Sequence, residues 1–346
     1  MSKWIGNHLS METYGESHCE KIGIVISGMP KMKINRALLN NMLSRRQGGN
    51  KVGTTPRKEA DDPEFIRGVH GDEIVSSPVE AVIYNKNVKS TDYNDLYAHP
   101  RPSHADYAWY LKDGALDFSG GGRFSGRLTA VYTVAGALAL SYLEQKGIKI
   151  KAYISSLGGI KGYTYKHKQE IRLCDLPDTL TKQQEKKLLQ TAENKDSVGA
   201  VVECAVFNFP GGYGNDYFEG LESTISSLLY AIPGVKGVEF GLGFELSSLN
   251  GSVANDELYY DESGNVKTKT NHAGGINGGI SNGMPIVLSV AFRPTPSIFK
   301  KQKTVDLQTK KNTEIQIKGR HDSCIAIRAV PVVESAVALA LLDIIM

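Results

Sequence analysis

The sequence predicts an α+β fold in which layered sheets enclose buried helices. Three observations lead there. The strand-like segments do not alternate regularly with helices, so a doubly wound nucleotide fold fits worse. Two stretches, Leu128 to Leu143 and Val332 to Ile345, are apolar nearly all round, which marks helices buried on every side. No low-complexity linker or tandem repeat divides the 346 residues, so a single domain over residues 1–346 is expected.

Lys21 to Ser27 reads as a strand. Asn35 then caps a helix whose Leu38, Leu39, Met42 and Leu43 share one face. That helix delivers Arg45 and Arg46 into the polar loop QGGNKVGTTPRKEADD. Val75 to Tyr84, Ile148 to Leu157, Val198 to Phe207 and Pro285 to Phe292 are further strands. Thr181 to Glu193 is charged on most faces and belongs at the surface. Pro331 is expected to start the C-terminal helix.

Composition sets the outer limits. Hydrophobic residues make up 41% and charged residues 22%, as in soluble globular proteins, which excludes disordered, collagen-like and coiled-coil chains. Forty Lys and Arg against 37 Asp and Glu leave a net charge of +3, too small a surplus for a dedicated nucleic-acid binder. Four scattered cysteines form no C-x-x-C pair, so neither a disulfide framework nor a metal site is expected. MSKWIGNHLS lacks the apolar stretch of a signal peptide, and Leu128 to Leu143 falls short of the roughly 20 residues a bilayer crossing needs. A soluble, cytoplasmic protein with no membrane partner is the expectation. The 36 glycines imply close backbone approaches or positive φ angles.

Nucleotide signatures fail directly. No G-x-x-x-x-G-K-[ST] occurs, and in SGGGRFSGR, Ser125 stands where G-x-G-x-x-G needs its third glycine. Five polar segments remain as candidates for chemistry. Thr13 to His18, before the first predicted strand, carries a histidine that is capping or functional. Arg45 and Arg46, with Arg57 and Lys58 beyond, are either a solvated basic loop or a grip for a dianion, since a guanidinium donates two parallel hydrogen bonds. In Arg101-Pro-Ser-His-Ala-Asp106, Ser103 and Asp106 are spaced as a capping box. His104 would then sit in the first helical turn, where the dipole lowers its pKa. It is a cap neighbour, or a neutral imidazole able to relay a proton. Gly120 to Gly122 lead into Arg123, Ser125 and Arg127 at the start of a buried helix, where free N–H groups favour an anion. Gly319 to Cys324, with His321, Asp322 and then Arg328, reads as a site wall, and a carboxylate among arginines suits a base. Lys300, Lys301, Lys303, Lys310 and Lys311 read as a solvated loop. Together these segments point to an anionic, phosphorylated substrate handled by two histidines and one carboxylate.

The same five segments, in this order, closely resemble the chorismate synthase family: G-E-S-H at Gly15 to His18, R-P-S-H-A-D at Arg101 to Asp106, G-G-G-R-F-S-G-R at Gly120 to Arg127, and G-R-H-D-S-C-I-A-I-R-A-V-P-V-V-E at Gly319 to Glu334. Weaker matches lie at Asp196 to Gly199, Val235 to Glu239 and Asn271 to Gly275, so the resemblance spans essentially the whole chain. It implies a β-α-β sandwich with buried helices between antiparallel sheets, assembled as a homotetramer. It implies a carbon–oxygen lyase of the shikimate pathway, in aromatic amino acid biosynthesis. The reaction would be 1,4-anti elimination of phosphate from 5-enolpyruvylshikimate 3-phosphate to give chorismate, with reduced FMN not consumed overall. By the same resemblance, His18 protonates the departing phosphate and His104 stabilises the reduced flavin. Asp322 takes a proton from flavin N5, so that the flavin can remove the substrate C6 proton. Arg45, Arg46, Arg57, Arg127 and Arg328 would bind the substrate anions. Arg123, Phe124, Ser125, Pro233, Gly234, Gly278, Arg293, Pro294, Thr295, Pro296, Ser297 and Arg320 fall where the family contacts FMN, and NADPH would enter only as an external reductant.

Several positions depart from the family pattern. Cys19 replaces a glycine, so backbone strain is expected there. Ser103 replaces another, which the capping reading makes harmless. Phe124, Gly126, the pair Pro233-Gly234, Arg293 and Val52 also differ, and they bear on flavin affinity rather than on the proton-transfer residues. Two further readings follow: an FMN-binding homologue without the elimination, and a phosphate- or RNA-binding module resting on the arginine loops and the basic tail.

Overall fold

The computed structural model describes residues 2–49, 52–55, 61–85, 96–116, 118, 121–168, 170–317 and 321–346. Its frame is α+β, with two five-stranded antiparallel sheets separated by helices. The first sheet contains β1 (Ser2–Ile5), β2 (Ser10–Tyr14), β3 (Lys21–Ser27), β4 (Glu64–Arg67) and β5 (Val79–Tyr84), in the order β1-β2-β3-β5-β4. The second contains β6 (Lys149–Leu157), β7 (Ile160–Lys161), β8 (Ala200–Phe207), β9 (Val235–Phe240) and β10 (Ile286–Phe292), in the order β7-β6-β8-β10-β9. In β3 the alternation of a half-buried sheet puts Ile22, Ile24 and Ile26 on the core face.

The helices are α1 (Arg36–Arg46), α2 (Asp106–Asp113), α3 (Thr129–Gln145), α4 (Lys182–Glu193), α5 (Leu221–Tyr230), the single turn α6 (Gly251–Ala254) and α7 (Ala326–Ile345). Asn35 caps α1 through a bond from Leu38 N at 3.0 Å. Thr181 and Gln184 close a true capping box on the surface helix α4. Within α3 the polar interruptions are harmless, because the Thr133 and Ser141 hydroxyls each donate to the carbonyl four residues back at 2.8 Å. Helix α3 lies on β3 and β5, α7 lies on β6 and β8, and the two helices pack on each other. Ile22, Leu138, Leu339, Val202 and Leu288 accordingly belong to one hydrophobic core.

Two devices hold the buried helices in place. Gly136 of α3 faces Ser335 of α7, and a Cβ there would lie 2.1 Å from Ser335 Cβ. Near the end of α7 the buried Asp343 carboxylate accepts from the backbone N–H groups of Asn7, His8 and Leu9 at 2.6–2.9 Å, tying the β1–β2 turn to the helix.

Several expected boundaries move. β1 and β2 precede the strand expected to be first; their mixed polar composition (SKWI, SMETY) hides them. Val75 to Pro78 stays outside β5, and Pro78 has no N–H to give a ladder. Helix α7 begins at Ala326 rather than at Pro331, which lies inside it. The basic stretch near residues 300–311 is a hairpin, Lys301–Asp306 paired with Lys311–Gln316, with its lysines solvated.

Substituting Gly136→Val should force α3 and α7 apart and lower unfolding stability by at least about 2 kcal/mol. Gly251→Ala, where a Cβ meets nothing within 4 Å, should change it by less than about 0.5 kcal/mol. Urea midpoints of the two variants measure the contrast.

Candidate active site

His18 sits in the connection between β2 and β3. The chain reverses through Gly15 at φ +83°, where a Cβ would lie 2.3 Å from the Lys21 carbonyl oxygen. Cys19 N–H then donates to Glu16 O at 3.1 Å, closing a turn with Ser17 and His18 at its centre. The Ser17 N–H reaches Gly122 O at 3.3 Å, which fastens this turn to the glycine-rich segment. Cys19 is not among the residues with positive φ, so the strain expected there is absent. Ser103, expected to be harmless, is the one at φ +60°.

The two arginines that end α1 separate. Neighbouring helix positions face directions about 100° apart, so they cannot form one fork. Arg45 makes a bidentate ion pair with Glu334 of α7 at 2.7 and 2.8 Å, and Glu334 also accepts from Ala152 N–H. Arg46 is 2% exposed and donates to Asp61 at 2.6 Å, to Thr129 Oγ1 at 2.9 Å and to the Gly126 and Arg127 carbonyls. Asp61 also pairs with Arg127. One buried carboxylate therefore holds two buried guanidiniums, without which neither charge would leave water cheaply.

Arg127 reaches its position through two 3₁₀ turns, Gly122–Phe124 and Gly126–Leu128, ahead of α3, so the glycine-rich segment does not start the α-helix directly. Ser125 Oγ accepts from Arg127 N–H at 3.2 Å, capping the second turn. On the facing wall, Arg328 of α7 donates to the Arg46 carbonyl at 2.9 Å and to Asp322 at 2.9 Å. The other Asp322 oxygen accepts from Thr55 N–H at 2.8 Å. The suspected base is thus fixed by a helix cation and a loop amide.

His104 is fixed differently from the expectation. No capping box forms: α2 starts at Asp106, and the N-cap Ala105 has no side-chain bond. Asp106 instead accepts three bonds from Arg101, at 2.7, 2.8 and 2.9 Å, and pairs with His104 Nδ1. Burial alone would raise the Asp106 pKa, but these partners hold it down at about 2. The carboxylate is then an acceptor, and its contact outweighs that of Arg101 Nη2, 3.1 Å from the same nitrogen, in favouring a proton on Nδ1; Nε2 is then the nitrogen that can exchange one with a ligand. The His104 pKa is lowered as expected, but burial is the main cause, with Arg101 and Arg293 adding to it and Asp106 opposing. The helix dipole is not needed.

These walls enclose a cavity of about 240 Å³. His18, His104, Asp322, Arg46, Arg127 and Arg328 line it, as do Phe124, Ser125, Pro233, Gly234 and Arg293 to Ser297. The Ser17 and Thr295 hydroxyls, both on its lining, are buried with no hydrogen-bond partner among the described residues. Three expected residues do not line it. Arg45 is spent on Glu334; Arg123 pairs with Glu16 at 3.3 Å and stacks on Trp109; Gly278 lies in the turn between Ile276–Asn277 and Ile280–Ser281. Arg57, Lys58 and Arg320 lie outside the described residues. Among the described residues no group of three or more His, Cys, Asp or Glu is placed to hold a metal, and no helix is long and apolar enough to cross a membrane. Sequence reading missed Asp61, the central counter-ion, because it looks like one more acid in a charged loop. It also missed Asn85, which only its place at the end of β5 could have suggested.

A cavity with preset guanidiniums on one side and a histidine, a second histidine and a carboxylate around it defines an acid–base site for a multiply anionic small molecule. The chorismate synthase family model matches residues 9–346. The chain is 42% identical to the chorismate synthase of Dehalococcoides mccartyi over 351 residues, covering 99% of this chain and 96% of that one. It is 41% identical to that of Methanocaldococcus jannaschii over 357 residues, covering 98% and 94%. A crystal structure of a chorismate synthase superposes with a TM-score of 0.76 at 25% identity, covering 98% of this chain and 92% of the other. The chain belongs to the chorismate synthase family, whose members are lyases of the shikimate pathway.

Because the folded pKa of His104 lies below its ordinary 6.5, its ring stays neutral on acidification after an unfolded histidine has charged. The neutral ring then costs stability as pH falls through about 6.5. In an NMR titration His104 should show a midpoint below 6.5, and Asp106→Asn, which removes the opposing charge, should lower it further.

Proposed function

We propose that this chain is itself a chorismate synthase. It converts 5-enolpyruvylshikimate 3-phosphate to chorismate and phosphate by 1,4-anti elimination. The observation that carries the reading is the convergence of His18, His104 and Asp322 with Arg46, Arg127 and Arg328 on one cavity. A substrate with one phosphate and two carboxylates matches such a lining, and a water-poor site strengthens each charge interaction. Arg46, Arg127 and Arg328 orient the anionic groups; Arg57 is assigned to the same task. His18 gives a proton to the departing phosphate. His104, held neutral with Nδ1 on Asp106, exchanges a proton through Nε2. Asp322, fixed by Arg328 and Thr55, accepts one.

The lining also suits reduced FMN. The Ser17 and Thr295 hydroxyls offer buried polar atoms in need of partners. Gly234, at φ +94°, and Gly121 expose backbone, and Phe124 with Pro233, Pro294 and Pro296 supplies flat apolar contact. Ser125, Arg293, Ser297, Arg123 and Arg320 belong to the same proposed set. Held by these residues, reduced FMN would supply the electron-rich ring chemistry that the elimination needs. NADPH takes part only as an external reductant. Gly278 is kept in the proposed flavin set, and the exposed Tyr217, Phe218, Phe244 and Tyr260 support assembly into a homotetramer, since solvent is a poor resting place for so many aromatic side chains. A cytoplasmic location, with all four cysteines free, completes the reading.

Incubated anaerobically with chemically reduced FMN and 5-enolpyruvylshikimate 3-phosphate, the protein should release chorismate and phosphate in equal amounts. His18→Ala, His104→Ala and Asp322→Asn should each slow turnover by about 100-fold or more. Wild-type rates in all three would contradict the assignment, and tight flavin binding with no product would favour a homologue that has lost the elimination. Light scattering should give four times the chain mass; a monomer would remove the assembly from the reading.

A further inference from the structure

Asn85 stands one residue beyond β5, where its backbone N–H continues the pairing with β3 by donating to Glu20 O at 2.8 Å. Its side chain does more. Nδ2 donates to Cys19 O at 2.7 Å and leans on Glu16 O at 3.4 Å, the two carbonyls at the ends of the turn that carries Ser17 and His18. Oδ1 accepts from Arg127 Nε at 2.9 Å. The amide orientation is unambiguous, because a guanidinium nitrogen can only donate and a carbonyl oxygen can only accept. One planar group thus ties the turn bearing the proton donor to the guanidinium that grips the anion, and it does so from the rigid end of a sheet strand.

We infer that Asn85 is a positioning residue of this enzyme: it sets His18 and Arg127 in mutual register, so that the anion held by the arginine meets the imidazole at transfer distance. The inference rests on the lyase reading for its chemistry and on the bonds above for its geometry. No other amino acid of this size offers the same contacts. Aspartate could still accept from Arg127, but it would set an oxygen against the Cys19 carbonyl, where a donor is required. Alanine removes both halves. A small error here matters, because proton transfer depends steeply on donor–acceptor distance and alignment.

The full-length protein with reduced FMN tests this in Asn85→Ala and Asn85→Asp, each also combined with His18→Ala. Asn85→Ala should lower kcat about tenfold or more with the melting temperature nearly unchanged. Asn85→Asp should lower kcat similarly while KM moves less than about twofold, since its bond to Arg127 survives. In the His18→Ala background either change should cost less than about twofold, because the group it positions is gone. A readout independent of turnover is the His18 ring cross peak in a histidine-labelled NMR spectrum, identified by its loss in His18→Ala. That peak should shift and broaden in both Asn85 variants. An unmoved peak, or a full loss of rate repeated on top of His18→Ala, overturns the positioning role. If the wild type fails to turn over, the lyase reading falls, and the His18 peak still decides whether Asn85 orders that turn.

Discussion

The site depends on Asp61 lying between Arg46 and Arg127. Two guanidiniums, 2% and 8% exposed, could not be brought together out of water without a shared counter-charge. Once that carboxylate is in place, the bonds run on in both directions. Arg127 passes to Asn85, and Asn85 to the turn of His18. The Arg46 carbonyl takes Arg328, and Arg328 holds Asp322. The turn that carries His18 and the Asp322 carboxylate, the groups proposed for the two proton transfers, are therefore joined by one continuous polar chain. That chain crosses from the loop after β2, through the start of α3 and the end of α1, to the start of α7.

The packing beneath makes that chain rigid. α3 and α7 meet at Gly136 and Ser335, closely enough that no side chain fits between them, and both helices bear on a sheet. Arg328 projects from the start of α7 and Arg46 from the end of α1, which packs on both α3 and α7, so their positions follow from hydrophobic packing rather than from loop order. Glu334, one of the few charges inside α7, ties Arg45 to the second sheet through the Ala152 N–H. His104 is held by the Arg101–Asp106 pair, and Arg101 and His104 line the same cavity.

Much of this was legible in the residues. The limits of β3, the cap at Asn35, the surface helix near Thr181 to Glu193 and the burial of α3 and α7 follow from local patterning, and there the structure agrees. All five segments singled out for chemistry contribute to one cavity. What stayed hidden was long-range pairing. Arg45 and Arg46 look alike in sequence, yet the turn of the helix sends one to Glu334 and the other to Asp61. Ser103 and Asp106 have the spacing of a capping box, but the carboxylate finds Arg101 and His104 instead, which outweighs the local rule. Cys19 and Ser103 exchanged their expected roles because φ is set by how each loop docks, and the residue type reveals only what would be comfortable.

The central claim is that these arginines, already tied to carboxylates of their own chain, still present one binding place for a polyanion beside His18. A crystal structure with 5-enolpyruvylshikimate 3-phosphate bound tests it most directly. The phosphate is expected within hydrogen-bond distance of His18 and of at least one of Arg46, Arg127 and Arg328, with the Asp61 pairs intact. Substrate density outside the cavity, or inside it only after Asp61 has let go of both arginines, would contradict it.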